Sequence, residues 1–527
     1  MLPSEPVSFL VFFIERANPP QTHLKPTSNP PQTHLKPTSN PPQTHLKPTS
    51  TPTHMKTPQH THSTSLPRSI LATSVLSLLA LCASAQAGTF NLYTLSGDAD
   101  SGINADNAYT HAIDINGNGN TTVNGAVFTS TFGGNPGTTN GVFHVPGSNI
   151  YTTTGLPNTY GSGYTPPNVG GSVGSMLTNF NYGGNPETLT LNNLRVGQAY
   201  TTNFYSDAFG SPGGRLVGVT ASDGGSINFD QNIGGSRLEY AFVASATTMT
   251  YTITPVVPGD TFHAYAFSNK MEGYKSLFTD NFRAPGNPNT NDVNFQNSLR
   301  QGGSLVLAGG PIGYVTNGNT QVGNETGYGG QPYGGDYLLS AFGSRTALNH
   351  NFDGAESAGG LSISFDFAPN TIGNGDSTLW ESIQLGMSDG DKLTAVNGGA
   401  AHFGILFRGN GGIQAFDGST VVSSAETWGA GSTNVMNHIE LLLTDPTDQN
   451  PFDGVGQTDI DVFSNGVLVY EFTKGGGGYA DNFVNFSNTF IGAADNVSVA
   501  QVVPEPTAAV SLISGLGMLL GLRRRRK

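Results

Sequence analysis

The sequence predicts an all-β protein: two β-sandwich, jelly-roll-like domains, with a cleaved N-terminal signal helix before them and a single C-terminal transmembrane helix after them. Three observations predict it. Charged residues make up only 11% of the 527-residue chain, while Gly alone occupies 71 positions. Apolar and polar residues alternate with period two in many short runs, as in strands with one buried and one wet face. Long stretches of helical period are missing from the body of the chain. Gly and Asn supply turns there, and Thr, Val, Phe and Tyr supply strands. Because the alternating runs recur throughout, the body reads as folded rather than as low-complexity disorder.

The elements follow in chain order. NPPQTHLKPTS occurs three times, starting at Asn18, Asn29 and Asn40, and a decayed copy starts at Thr51. So polar and Pro-rich a segment buries too little surface to offset its ordering entropy. Residues 1–54 therefore read as a disordered tandem repeat upstream of the true start, Met55. From Met55 the pattern is that of a secretory leader. Lys56 and Arg68 supply positive charge, residues 70–83 form an apolar run too short to span a bilayer, and Ala85-Gln86-Ala87 is a small-x-small cleavage site. Residues 55–87 are the expected signal peptide, and the mature chain is expected to begin at Gly88. Cys82, the one cysteine, falls within the leader behind Leu81, where a lipoprotein needs a small residue. The body is thus expected to have no disulfide.

The first expected sandwich covers residues 88–271, with strands at 126–128, 188–191, 200–205, 238–243 and 249–253. The phrase Leu191-Asn192-Asn193-Leu194-Arg195-Val196-Gly197-Gln198-Ala199-Tyr200 reads as a hairpin. It is similar to a hairpin of many extracellular β-sandwich modules, galactose-binding-like jelly rolls among them. A linker is expected at 272–291, around Ala284-Pro285-Gly286-Asn287-Pro288-Asn289. The second sandwich covers 292–502, with strands at 361–367, 403–408, 438–443, 460–463 and 467–472. Asn465-Gly466 makes a two-residue hairpin between the last two. The hairpin from Asp461 to Tyr470 and the closing Asp495-Asn496-Val497-Ser498-Val499 resemble concanavalin A-like or laminin G-like jelly rolls. That resemblance implies a fold and no function.

The tail has three parts: Val503-Pro504-Glu505-Pro506, an uncharged apolar run over 507–522, and Arg523-Arg524-Arg525-Arg526-Lys527. The run spans about 24 Å as a helix, and snorkelling cations make up the rest of a ~30 Å core. Basic residues stay cytoplasmic, so the body lies outside. This tail resembles the PEP-CTERM sorting signal of Gram-negative bacteria. The resemblance implies recognition of Val503, Pro504, Glu505 and Pro506 by exosortase, a membrane protease-transpeptidase, and removal of the tail. Ala105 to Ala112 also resembles the opening of modules common in PEP-CTERM proteins.

Charge limits the partners. The whole chain carries −14; residues 1–87 hold 6 basic and 2 acidic groups and residues 504–527 hold 5 and 1, so 88–503 carries 11 against 33, a net of −22. Such a body repels nucleic acid and anionic lipid. It tolerates Ca2+, and the loop carrying Asp445, Asp448, Asn450 and Asp453 crowds hard oxygen ligands without EF-hand spacing. Asp389-Gly390-Asp391 is a weaker acidic turn. Catalysis is not expected. Glu381 and Glu440 have no second carboxylate at strand spacing, as glycosidases require. His111, His144, His263, His350, His402 and His438 show no metal-ligand spacing, and no Gly-x-Ser-x-Gly elbow occurs. Trp380, Trp428, Tyr164 and Tyr182 are candidates for stacking on sugar rings. The expectation is an exported binding or matrix protein of the cell surface or extracellular matrix. It would be transiently anchored in the inner membrane with its C-terminus cytoplasmic, and its partner would be extracellular polysaccharide. The alternative is an extracellular carbohydrate-active enzyme.

Overall fold

The computed structural model describes residues 87–117, 120–130, 151–161, 164–280, 306–307, 310–317, 320–324, 336–340, 345–368, 380–399, 401–428, 437–488 and 492–503. The expected repeat, the signal helix (except Ala87) and the tail beyond Val503 lie outside these residues. Among the described residues, no helix is long and apolar enough to cross a membrane. Helix there is confined to the six-residue Gly171–Met176 and two 3-10 turns.

The first sandwich sets Thr89–Thr94, Ser236–Val243, Ala199–Ser206 and Ala266–Asp280, in that spatial order, against a five-stranded sheet. The second sheet runs Ser226–Asp230, Leu216–Ala221, Met249–Pro255, Glu187–Leu191 and Tyr151–Thr154. Period-two burial is visible in Met249–Pro255, where Met249, Tyr251 and Ile253 are buried and Thr250 and Thr252 are not. Those side chains meet Leu191, Val219, Phe204 and Tyr240 from both sheets in one apolar core. Each such burial is worth about 1.5–3 kcal/mol.

The expected hairpin at 191–200 is instead a corner between sheets. Glu187–Leu191 pairs with Met249–Pro255 in one sheet, whereas Ala199–Ser206 pairs with Ser236–Val243 in the other. Leu194 is fully buried, which holds the crossing segment against the core. Asn193 (φ 59°) and Gly197 (φ 87°) supply its turns. The Arg195 N–H donates to the Tyr200 hydroxyl at 3.0 Å, tying the corner to the strand it enters.

The first residues of the expected linker are strand. Ala266–Asp280 runs unbroken through 272–280. Its first part pairs with Ala199–Ser206 up to Met271↔Tyr200, and its second pairs with Gly492–Val502 from Tyr274↔Val502 onward. Gly273, at φ 77°, takes the backbone geometry needed between the two. One sheet therefore holds strands of both sandwiches. Residues 281–291 lie outside the described residues.

In the second sandwich this sheet continues through Leu361–Ala368, Asn437–Thr444, Thr458–Ser464 and Val467–Lys474. Facing it are Tyr314–Thr316, Arg345–Leu348, Phe483–Asn488, Trp380–Met387, Phe403–Arg408, Ile413–Asp417 and Thr420–Ser423. Ile363, Phe365, Ile383, Ile405, Leu441 and Phe486 belong to the core between them. The expected Asn-Gly hairpin forms, with Asn465 at φ 50°, Gly466 at φ 80° and Ser464 opposite Val467.

The two sandwiches meet at Arg195. Its Nη1 lies 2.7 Å from Glu440 Oε1, and both side chains are buried. Arg195 also donates to Gln198 Oε1 at 2.7 Å and to the Tyr274 hydroxyl. Its guanidinium lies over the rings of Tyr274 and Phe463, at 5.3 and 5.5 Å. The Asn465-Gly466 turn abuts the Leu194 carbonyl so closely that a Cβ at Gly466 would collide with it.

Candidate functional site: an aromatic ridge on the first sandwich

Three short strands place aromatic residues side by side at one edge of the first sandwich. Asn158–Tyr160 pairs with Phe180–Tyr182, which pairs with His263–Ala264. The register puts Tyr160 opposite Phe180 and Tyr182 opposite His263. The rings of Tyr160 and Phe180 stack at 4.9 Å and 6°, and those of Phe180 and His263 at 4.1 Å and 18°. Phe209 stands edge-on to Tyr160, Phe180 and His263, with centroids 5.0–5.4 Å away. Tyr164 and Tyr265 complete the cluster, 6.0 and 4.7 Å from Phe180. Phe180, His263 and Tyr265 are buried; Tyr160, Tyr164 and Tyr182 are half-buried; Phe209 is 39% exposed.

Polar groups fix the loop that carries Phe209. Tyr164 donates its hydroxyl proton to the Ala208 carbonyl, and the Tyr265 hydroxyl donates to the Asp207 carbonyl at 3.2 Å. The Asp207 carboxylate accepts from the Asn168 side chain and from the Ala208 N–H, each at 2.8 Å. The Phe209 N–H donates to Asn232 Oδ1 at 3.2 Å. Burial, with Arg215 nearby, pushes the His263 imidazole down to about 3, so this ring is uncharged at neutral pH. An apolar cavity of about 20 Å³, room for about one water, is bounded in part by Leu156, Phe204, Tyr265 and Glu187. Burial raises the Glu187 carboxyl to about 9, although it accepts the Gly183 and Gly184 N–H groups at 3.2 Å. The arrangement is a partly wet aromatic surface, hydrogen-bonded to its loops, with amides and hydroxyls at its rim. Its ring faces carry negative quadrupole charge, suited to polarised C–H groups of a flat apolar surface such as one side of a pyranose.

The structure brings Tyr164 and Tyr182 together and separates them from the tryptophans. Trp428 is core, 2% exposed, with its Nε1–H donating to the Arg408 carbonyl at 3.0 Å. Trp380 lies half-buried on Val396, Leu406 and Phe416. Sequence reading passed over Tyr160, Phe180, Phe209 and Tyr265, and weighed His263 only as a metal ligand. Tyr160 and the Phe180-Asn181-Tyr182 alternation carried a signal; Phe209, in a Gly-Ser-Pro loop, carried none.

Asp445 accepts from the Thr447 N–H at 2.5 Å and the Gln457 N–H at 2.8 Å. Burial pushes its carboxyl up, but these hydrogen bonds outweigh that and hold it below the usual range. Asp448 accepts from Asn450 N–H, Asp453 from Val455 N–H, and Asn450 Oδ1 from the Ser357 hydroxyl. The three aspartates thus accept backbone N–H groups of their own loop and of Gln457 just after it, and Asn450 ties the loop to Ser357. Among the described residues, no three or more His, Cys, Asp or Glu are grouped to hold a metal ion. His350 pairs with Glu356 and His438 with Asp366, each at 2.7 Å; burial pulls His438 down, but Asp366 more than offsets it and its pKa is raised. His402 Nε2 meets the Val396 carbonyl at 3.1 Å, and the buried His111 lies 6.3 Å from the Phe267 ring. His144 lies outside the described residues. Glu381, on the Trp380–Met387 strand, is buried, with Oε2 unpartnered, and burial alone raises it to about 8. Lys392 pairs with Asp389 on the second acidic turn.

Of the sorting and cleavage residues, Ala87 and Gly88 lead into the strand Thr89–Thr94, and Val503 follows Gly492–Val502, its N–H donating to the Gly273 carbonyl at 2.7 Å. Ala85, Pro504, Glu505 and Pro506 lie outside the described residues.

No protein family matches the chain, and no curated protein does. Several solved structures are similar to parts of it. The carbohydrate binding module CBM66 from Bacillus subtilis is 11% identical over 35% of this chain and 94% of its own, with a TM-score of 0.24. An endo-1,3-beta-glucanase from Streptomyces sioyaensis is 10% identical over 44% and 98%, with a TM-score of 0.29. Peanut lectin is 12% identical over 43% and 97%, with a TM-score of 0.23. At these identities and scores the likenesses carry no argument about function.

Proposed function

We propose that this chain is an exported glycan-binding protein of the cell surface or extracellular matrix, and that the ridge of Tyr160, Tyr164, Tyr182 and Phe209 is its contact surface. The observation that carries the reading is the ridge itself: aromatic rings left partly in water yet fixed by hydrogen bonds to their supporting loops. Rings held in place in advance lose little entropy when a flat ligand docks on them. The acidic body favours neutral or cationic glycans over polyanions. The leader and the PEP-CTERM-like tail support export, processing by exosortase and retention outside the cell. The proposed activity is binding without bond cleavage. Glu381 faces the core and Glu440 is held by Arg195, so neither supports the pair of accessible carboxylates that hydrolysis uses. The exported protein should be retained by at least one neutral polysaccharide on a glycan array. Hydrolysis of any member of a polysaccharide panel would instead support the enzyme.

A further inference from the structure

The strand Thr89–Thr94 begins beside the Asp223 carboxylate, which has no lysine or arginine bonded to it among the described residues. Thr89–Thr94 is an edge strand paired with Ser236–Val243. Just before it, the Gly88 nitrogen lies 3.0 Å from Asp223 Oδ2. The other oxygen, Oδ1, accepts from the Tyr240 hydroxyl and from the Gly225 N–H at 3.2 Å. Gly88 is seated tightly: a Cβ there would lie 2.5 Å from the Ala241 carbonyl oxygen and 2.6 Å from the Tyr240 ring. A Cβ at Gly225 would also collide with the Tyr240 hydroxyl. Two glycines and a tyrosine therefore shape a notch in which the Gly88 nitrogen is aimed at Asp223.

The preceding residues, Ala85-Gln86-Ala87, form the small-x-small pattern of a leader cleavage site. We infer that Ala87–Gly88 is the processing bond and that this notch is a binding site for the α-ammonium its cleavage creates. Water adds across the bond under a leader peptidase, leaving a carboxylate on Ala87 and a protonated amine on Gly88. Before cleavage the notch holds a neutral amide; afterwards it holds a cation paired with Asp223. A charge-assisted bond is roughly twice as strong as a neutral one, so processing tightens the edge strand onto the sandwich. Export and folding are thereby coupled: the leader-bearing chain lacks an ion pair that the processed chain has.

The inference rests on the export reading, and two measurements separate them. N-terminal sequencing of the exported protein tests processing; Gly88 is the expected first residue, and any other start overturns both the bond assignment and the use of the notch in the cell. Melting of the protein beginning at Gly88, compared with its Nα-acetylated form, tests the notch itself. Acetylation keeps the N–H but removes the charge, and should lower Tm by about 2 °C. Asp223→Asn should abolish that difference. Gly88→Ala, which keeps the ammonium but does not fit the notch, should abolish it as well and serves if the Asp223 variant folds poorly. Equal melting of the free and acetylated forms would overturn the ammonium site even if sequencing returns Gly88.

Discussion

Both sandwiches bury aromatic residues in their cores, and the first also holds a cluster of them partly in water. In the second, Trp428, Phe407, Phe365 and Phe486 pack inside, in edge-on pairs at 5.3–6.1 Å, each at most 2% exposed. In the first, a comparable set of rings gathers on three short strands and the loops of Tyr164 and Phe209, and four of them stay partly in water. Burial explains the second arrangement completely, because rings are driven inward wherever a core can take them. It does not explain the first, where Phe209 is held out at 39% exposure by a loop pinned through Tyr164, Asp207 and Asn232. The contrast is what puts the proposed contact surface on the first sandwich.

The largest effect should come from parting the two. Arg195→Met leaves Glu440 buried without its cation, which costs about 3–5 kcal/mol. Chemical denaturation should show a lower midpoint and, if the joint is what couples the halves, two transitions in place of one. A midpoint within experimental error of the parent would mean that the shared strand Ala266–Asp280 couples them alone.

Buried acids sharpen the comparison at the next level. Glu187 has two N–H donors and Glu381 has an unpartnered oxygen, yet burial raises both, to about 9 and about 8. Each is protonated in the folded protein over a range where the unfolded chain has lost its proton. The stability they contribute is therefore present below the ordinary carboxylate pKa and is lost as pH rises through the folded value. Glu381→Gln keeps the shape and removes the titration. Its stability should be flatter than the parent's between pH 5 and 8, where the parent loses up to about 1.4 kcal/mol per pH unit from this group. Parallel profiles would show that Glu381 ionises as freely in the fold as outside it.

The ridge itself is tested at a smaller scale. Phe209→Ala should weaken glycan retention by about 1 kcal/mol, roughly fivefold in Kd, while moving stability by less than about 1 kcal/mol. Trp380→Ala, on the other sandwich, should leave retention unchanged. The reverse result would transfer the binding surface to the Trp380 face.

How much of this was legible follows from what sets each feature. Strands set by local alternation, such as Met249–Pro255 and Leu361–Ala368, were readable, as was the Asn465-Gly466 turn, whose left-handed backbone needs those residues. Pairing was not. The run from Leu191 to Tyr200 looks alike as a hairpin or as a corner, because the difference lies in which distant strand each end meets. Residues 272–280 of the expected linker are strand for the same reason: Gly492–Val502 arrives from far along the chain and pairs with Tyr274 to Asp280. Tyr164 and Tyr182 were legible as aromatics and not as neighbours, since what joins them is the Phe180 ring, 6.0 and 5.8 Å from theirs.

The smallest expected effect concerns the acidic loop of the second sandwich. From sequence, Asp445, Asp448, Asn450 and Asp453 suit Ca2+ because their oxygens are close along the chain. A cation needs those oxygens to converge, with six to eight at about 2.3–2.6 Å. Here Asp445 accepts two backbone N–H groups, Asp448 and Asp453 each accept from a residue two positions on, and Asn450 holds the Ser357 hydroxyl. Turning them inward to a metal would break these bonds and unmake the turn they cap, offsetting what coordination gained. EGTA should accordingly shift Tm by less than about 1 °C, against the several degrees that a ligand at a hundred times its Kd would give. A rise of several degrees on adding Ca2+ would show that the loop refolds around the ion, and would give the second sandwich a ligand site of its own beside the one proposed on the first.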